Sequence, residues 1–290
     1  SMHGMALHLH LHLFCAPHPC CLTNSLPQRA WHANATHTRR HIHCSANLQV
    51  SRPPPERRSA NYQPTIWSYD FLKSIKNDHE DEIHKERAKK LVEWVRNMIG
   101  DEDARPLTIL ELIDDIQRLG LGYHFEEDIS KALNRIMSLR ADQKSVHATA
   151  LRFRLLRQHG YEVSQDVFKS FKDHNGDFMA CLHHDARGLL SLYEASYLSL
   201  EGENILDEAK AFTTIHLKDL KETIDTSLAE QINHALELPL QHRMLRLEAR
   251  WYIDAYSKKE DANHSLLELA ILDFNMVQAT LQRDLQDMSR

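Results

Sequence analysis

Apolar residues recur three and four apart along nearly the whole chain after Ile83, the spacing of one face of an α-helix. Ala88, Leu91, Val92, Val95, Met98 and Ile99 form one such stripe, and Gly100 closes it. Pro106 suits the first turn of a helix, where its missing N–H is not needed. Leu107, Leu110, Ile113 and Ile116 then face one way until Gly120 and Gly122. Ile129, Leu133, Ile136 and Met137 make a third stripe. The same spacing predicts helices near 145–158, 164–172, 180–200, 203–220, 226–237, 243–257 and 263–287. From Ile83 onward no segment sustains a period-two alternation, and no unit repeats at fixed length. The expected fold class is therefore all-α, with short Gly- or Pro-marked turns and helices packed in antiparallel pairs.

Charge divides the chain in two. Residues 1–55 carry four arginines, no lysine and no acid, whereas residues 56–290 carry 31 basic and 41 acidic residues. An acid-free leader with Arg, Ser and Thr has the composition of an organelle transit peptide. A secretory signal would need a more continuous apolar centre than Ala6–Phe14, which His8, His10 and His12 interrupt. Those histidines would chelate a metal only if extended, and a leader needs no such role. Pro53-Pro54-Pro55 ends the segment as a stiff spacer. The acidic remainder is a poor candidate for binding nucleic acid, which needs a basic face. Nowhere do 18 apolar residues run together, so no membrane span is expected. Cys15, Cys20, Cys21 and Cys44 lie in the leader, leaving Cys181 alone in the helical part. A single cysteine forms no internal disulfide, and Cys181 reads as an inert, buried or half-buried thiol.

The two compositions meet at Arg57-Arg58-Ser59-Ala60-Asn61-Tyr62-Gln63-Pro64-Thr65-Ile66-Trp67. Pro64 and its polar surroundings predict an extended strap. Two guanidinium groups there suit phosphate or carboxylate, since each offers a fixed fork of donors and never loses its charge. The alternative is a processing or solvated arginine pair followed by a core tryptophan.

Acidic clusters are the natural candidates for a hard divalent cation. Asp114-Asp115 places two carboxylates at adjacent helical positions, but the third position of an i, i+1, i+4 set is Arg118. Arg118 would repel the metal, so the pattern reads as a solvated helix face with Arg118 paired to Asp114. Glu126-Glu127-Asp128 reads as the acidic first turn of a helix. No Gly-rich phosphate loop occurs. His183-His184 and His234 read as satisfied surface or core imidazoles.

The tandem arginine, eight residues and tryptophan resemble the RR(x8)W signature of plant monoterpene synthases. The likeness continues in Leu112–Gly120 with Tyr123-His124-Phe125-Glu126, in Phe153–Gly160, in Ser191–Ser196, in Glu201–Leu206 and in Arg246–Trp251. These ordered blocks identify a resemblance to plant class I terpene synthases of the monoterpene/isoprene branch. It implies a plastid transit peptide over 1–56, an α-barrel-like amino-terminal domain over 57–239 and the first helices of a metal-binding α-bundle over 240–290. For an intact protein it implies Mg²⁺- or Mn²⁺-assisted departure of diphosphate from geranyl diphosphate or dimethylallyl diphosphate. A monoterpene or isoprene then forms through a carbocation, in a monomer of the chloroplast stroma. Arg57, Arg58 and Trp67 would form a lid over the substrate. The family's second metal motif is incomplete both at Asn204, Glu208, Phe212 and at Asp219, Thr223, Ser227. The resemblance thus implies that the catalytic and metal-binding residues lie outside this chain, which by itself would be inactive. The competing reading is a non-catalytic helical scaffold or interaction module.

Overall fold

The computed structural model describes residues 68–74, 82–139, 145–220 and 224–288. They fall in one compact unit, Gln63–Arg290, while the other unit, Ser1–Tyr62, lies outside the described residues together with the whole leader. The fold class is all-α. Ten helices are described: α1 (Tyr69–Ser74), α2 (Glu82–Ile99), α3 (Pro106–Arg118), α4 (Glu126–Ser138), α5 (Val146–Gln158), α6 (Ala186–Ser196), α7 (Asn204–Leu220), α8 (Thr226–Glu237), α9 (Leu245–Tyr256) and α10 (His264–Met288). Among the described residues the only β feature is an isolated bridge between Lys172 and Phe178.

Local chemistry sets the boundaries. Arg105, held extended before Pro106, starts α3. Helix α3 ends where Leu121 N–H reaches the Ile116 carbonyl at 3.0 Å across Gly120, whose φ is +80°. Helix α5 ends the same way: Tyr161 N–H donates to Leu156 O across Gly160, φ +81°. The single helix expected over 180–200 is instead a 3-10 turn, Ala180–His184, followed by α6. Asp185 separates them because its carboxylate accepts from Gly188 N–H at 2.8 Å and caps α6. Residues 165–171 are likewise 3-10 rather than α. In α4, Ala132 takes the buried position and Met137 points to solvent, contrary to the expected stripe. Cys181, expected to be at least half-buried, is exposed.

Packing follows a ring. Helix α3 lies against α5, α5 against α6, α6 against α8, α8 against α9, and α9 returns to α3. Helices α2, α4 and α10 cover the α3–α9 side, burying Val95, Ile99, Ile113, Ile116, Leu133 and Leu266 in one cluster. Phe153, Phe168, Phe178, Leu192 and Leu206 form a second, and Leu189, Tyr193, Leu217 and Ile232 a third. Truncating a buried phenylalanine of this kind costs about 3–5 kcal/mol, so these outer seams hold the ring closed. Polar clasps fix α10: Asp273 accepts from Tyr123 Oη at 2.5 Å and lies 2.8 Å from His124 Nε2, and Arg246 donates to the Phe274 carbonyl at 3.0 Å. On the outer surfaces of α9 and α10, Leu245, Leu247, Ile271 and Leu281 remain exposed.

The two glycine caps separate conformation from contact. A Cβ at Gly120 would sit 3.0 Å from the Ala249 side chain, while one at Gly160 meets nothing within 4 Å. Gly160→Ala is expected to cost about 1 kcal/mol from the left-handed backbone alone. Gly120→Ala should cost about 2 kcal/mol, the excess coming from the α3–α9 seam. Urea midpoints of the two variants decide this, and equal losses would show that the seam can give way.

Candidate functional site

Arg57, Arg58 and Trp67 lie outside the described residues. What the described residues do assemble is a charged interior. The polar faces of the ring helices turn inward around a cavity of about 650 Å³, lined from α3, α5, α6, α8 and α9. The apolar faces of the same helices turn outward into the three clusters, so both faces of α3 and α5 are covered.

Two arginines organise this interior. Arg118 is 7% exposed and Arg154 only 2%. Arg154 Nη2 donates to Asp114 Oδ1 at 2.8 Å and lies 3.2 Å from Glu194 Oε2. The other Glu194 oxygen lies 3.5 Å from Arg118 Nη1, and Arg118 Nη2 donates to Glu248 Oε1 at 3.1 Å. His234 Nε2 is 2.7 Å from the second Glu248 oxygen, its ring stacked on Trp251 at 3.3 Å. The Arg118 guanidinium also rests 4.3 Å over the Tyr252 ring. Tyr252 Oη donates to Asp115 Oδ1 at 2.6 Å, and Lys259 Nζ donates to the same oxygen at 2.9 Å. Each helix of the ring thus contributes a charge or a donor to one chain of contacts.

The solvated face expected for Asp114–Arg118 is therefore corrected. Arg118 does not pair with Asp114; it reaches across to α6 and α9, and Asp114 is taken by Arg154 of α5. The reason is the ring, which gives α3 a polar neighbour on the side that would otherwise face water. Asp114 and Asp115 are each already neutralised by a cation, an arrangement that does not suit Mg²⁺. Among the described residues no group of three or more His, Cys, Asp or Glu is placed to hold a metal ion. Arg154, Glu194 and Glu248 were missed as a group: Glu194 is a lone charge inside an uncharged run (Leu189–Leu200), whereas Arg154 stands between Arg152 and Arg157 and Glu248 between Arg246 and Arg250. The lone Glu194 was the available signal.

Ionisation follows from the contacts. Burial pushes the Asp114 carboxyl up, but Arg154 and Arg118 outweigh it and hold it below the usual value. Burial likewise opposes Glu248, whose hydrogen bond from His234 and neighbour Arg118 bring it down. The hydrogen bond from His147 lowers Glu111 against burial. Asp115 goes the other way, raised by burial that Lys259 and Tyr252 do not fully offset.

A carboxylate with a depressed folded value contributes stability above its unfolded value of about 4, lost as pH falls through the folded value. Asp115 has the opposite sign, costing stability as pH rises through that range. With three groups against one, denaturant midpoints should fall as pH drops below about 4. Glu194→Ala, which removes the carboxylate shared by two buried guanidinium groups, should cost about 4 kcal/mol at neutral pH. Glu127, whose partner Lys131 is also at the surface, should tolerate the same change with no shift of the midpoint.

The chain matches the family "Terpene synthase, N-terminal domain" over residues 66–236. It is 57% identical over 252 residues to a tricyclene synthase of Medicago truncatula, covering 85% of this chain and 42% of that protein. It is 54% identical over 292 residues to the chloroplastic isoprene synthase of Populus canescens, covering 96% and 49%. A crystal structure of grey poplar isoprene synthase, in complex with three Mg²⁺ ions and dimethylallyl-S-thiolodiphosphate, superposes with a TM-score of 0.70 at 58% identity, covering 77% of this chain and 42% of that one. The chain spans less than half the length of these relatives. With the match covering more than half of its residues, the chain belongs to the terpene synthase N-terminal domain family.

Proposed function

We propose that this chain is the amino-terminal helical portion of a plastid synthase that converts geranyl diphosphate to a monoterpene, or dimethylallyl diphosphate to isoprene. The observation that carries this reading is the likeness of the described helices to isoprene synthase, whose crystal structure holds Mg²⁺ and a thiolodiphosphate analogue. Diphosphate departure and carbocation chemistry belong, in this reading, to the part of the relatives' length that this chain does not span. Mg²⁺ or Mn²⁺ would supply charge stabilisation of the leaving diphosphate there. No described residue is assigned a metal, since the Asp114 and Asp115 carboxylates are already engaged by Arg154 and Lys259.

Within this scheme residues 1–56 direct import into the plastid, a role supported by the chloroplastic names of the relatives. Residues 57–239 are the amino-terminal domain. Residues 240–290, although they close the ring, lead into the metal-binding domain. Arg57 and Arg58 extend over the diphosphate and Trp67 anchors the strap, the fork of each guanidinium matching phosphate oxygens. The protein acts as a monomer.

Incubated with geranyl or dimethylallyl diphosphate and Mg²⁺, the 290-residue chain should release no volatile product. Joined to the remaining length of grey poplar isoprene synthase, it should. In that joined protein Arg58→Ala should lower turnover roughly tenfold, about 1.4 kcal/mol of transition-state stabilisation, with the melting temperature unchanged. Wild-type rate and product from Arg58→Ala would remove the lid role; product from the unjoined chain would relocate the chemistry altogether.

A further inference from the structure

One wall of the central cavity carries a constellation that the buried arginine network does not use. Glu111 of α3, His147 in the first turn of α5 and Ser191 of α6 all line it. His147 Nδ1 lies 2.7 Å from Ser191 Oγ, and His147 Nε2 lies 3.1 Å from Glu111 Oε1. These are the reach and order of a nucleophile, a base and a carboxylate that orients the base.

The hydrogen-bond roles follow from the acceptor. A carboxylate only accepts, so the imidazole proton facing Glu111 sits on Nε2 and the lone pair on Nδ1 faces Ser191. The Ser191 hydroxyl therefore donates to His147. Other buried hydroxyls behave differently: Thr213 of α7 donates to Ala209 O at 2.7 Å and Ser196 of α6 to Tyr193 O at 2.6 Å. The Ser191 hydroxyl is instead aimed at a base, away from its own helix backbone.

Positive charge lies close by. Glu194, one turn further along the same face of α6, holds both Arg154 and Arg118. Each of these guanidinium groups keeps a buried Nε–H with no partner. Both arginines line the same cavity as Ser191 and bring positive charge to it. The whole lining carries seven carboxylates against five lysines and arginines, which disfavours an anionic ligand and favours a small uncharged one.

We infer that Ser191, His147 and Glu111 form an acyl-transfer site that hydrolyses small uncharged esters inside the ring. Ser191 Oγ bonds to the ester carbonyl carbon while its proton passes to His147 Nδ1. The carbon–oxygen bond to the alcohol breaks, and the leaving oxygen takes that proton. Water then attacks the acyl group, giving its proton to His147. The Ser191–acyl bond breaks, Oγ regains the proton, and a carboxylic acid leaves. Nothing is oxidised or reduced, and no metal or diphosphate takes part, so the site stands or falls independently of the proposed synthase role.

The 290-residue chain, with its thiols blocked by N-ethylmaleimide, is the material for the test. An alkyl fluorophosphonate should add to Ser191, located by mass spectrometry of the tryptic peptide that follows Arg187. p-Nitrophenyl acetate should be hydrolysed, with the rate falling about 100-fold in Ser191→Ala and in His147→Gln. Glu111→Gln should keep the helical circular dichroism and lose about tenfold in rate, since it retains a hydrogen bond but not the charge. Labelling needs no variant, so misfolding cannot obscure it. Absence of an adduct at Ser191, or full hydrolysis by a folded Ser191→Ala chain, would overturn the assignment.

Discussion

Two nearly buried guanidinium groups sharing one carboxylate set the terms for the rest of this fold. Arg118 and Arg154 come from neighbouring helices and meet at Glu194 on a third. Alone, either arginine would be intolerable at 7% and 2% exposure. Together with Asp114 and Glu248 each guanidinium group has two carboxylate partners, and the arrangement exists only when α3, α5, α6 and α9 stand at the right separations. Burying ions gains little net stability over well-packed apolar residues. Its effect is on uniqueness: a ring slipped by one turn at any seam would leave a charge unpaired, a penalty that apolar contacts alone do not impose.

The same constraint explains what was legible in the sequence. Helix positions were legible because apolar stripes and punctuation agree: Gly100, Pro106, Gly120 and Gly160 each fall at a boundary. Burial of the apolar face was legible for the same reason. Burial of the polar face was not. In an ordinary surface helix the polar side meets solvent, and that is what the sequence leads one to expect of Asp114–Arg118. In this ring the centre is too wide for side chains to fill with hydrocarbon and holds a cavity of about 650 Å³. Polar faces turn there and satisfy one another. Periodicity measures only the contrast between faces, so it cannot say whether the polar side meets water or other helices. A lone charge within an apolar run, such as Glu194 between Tyr193 and Ala195, is the local sign that it meets helices.

Boundaries between α and 3-10 structure were the other failure, and their cause is local. Asp185 interrupts what apolar spacing alone would continue from 180 to 200, because its side chain competes for a backbone N–H. The interruption lets α6 start afresh and carry Ser191 and Glu194 on one face toward the cavity. A small capping event therefore decides which residues of α6 reach the interior.

Charge also separates the two chemistries proposed above. A prenyl diphosphate carries several negative charges and would meet a cavity lining in which carboxylates outnumber cations. Arg118, Arg154 and Lys259 cannot be counted toward its binding, since each is already held by a carboxylate within 3.5 Å. Freeing one would strand its partner at a cost of several kcal/mol. A diphosphate must therefore be sought where guanidinium groups are not already spent on internal carboxylates, which is the condition an extended Arg57–Arg58 strap would meet. The ring interior, closed to such an anion by its own neutralisation, stays available only to ligands that leave the arginine network intact.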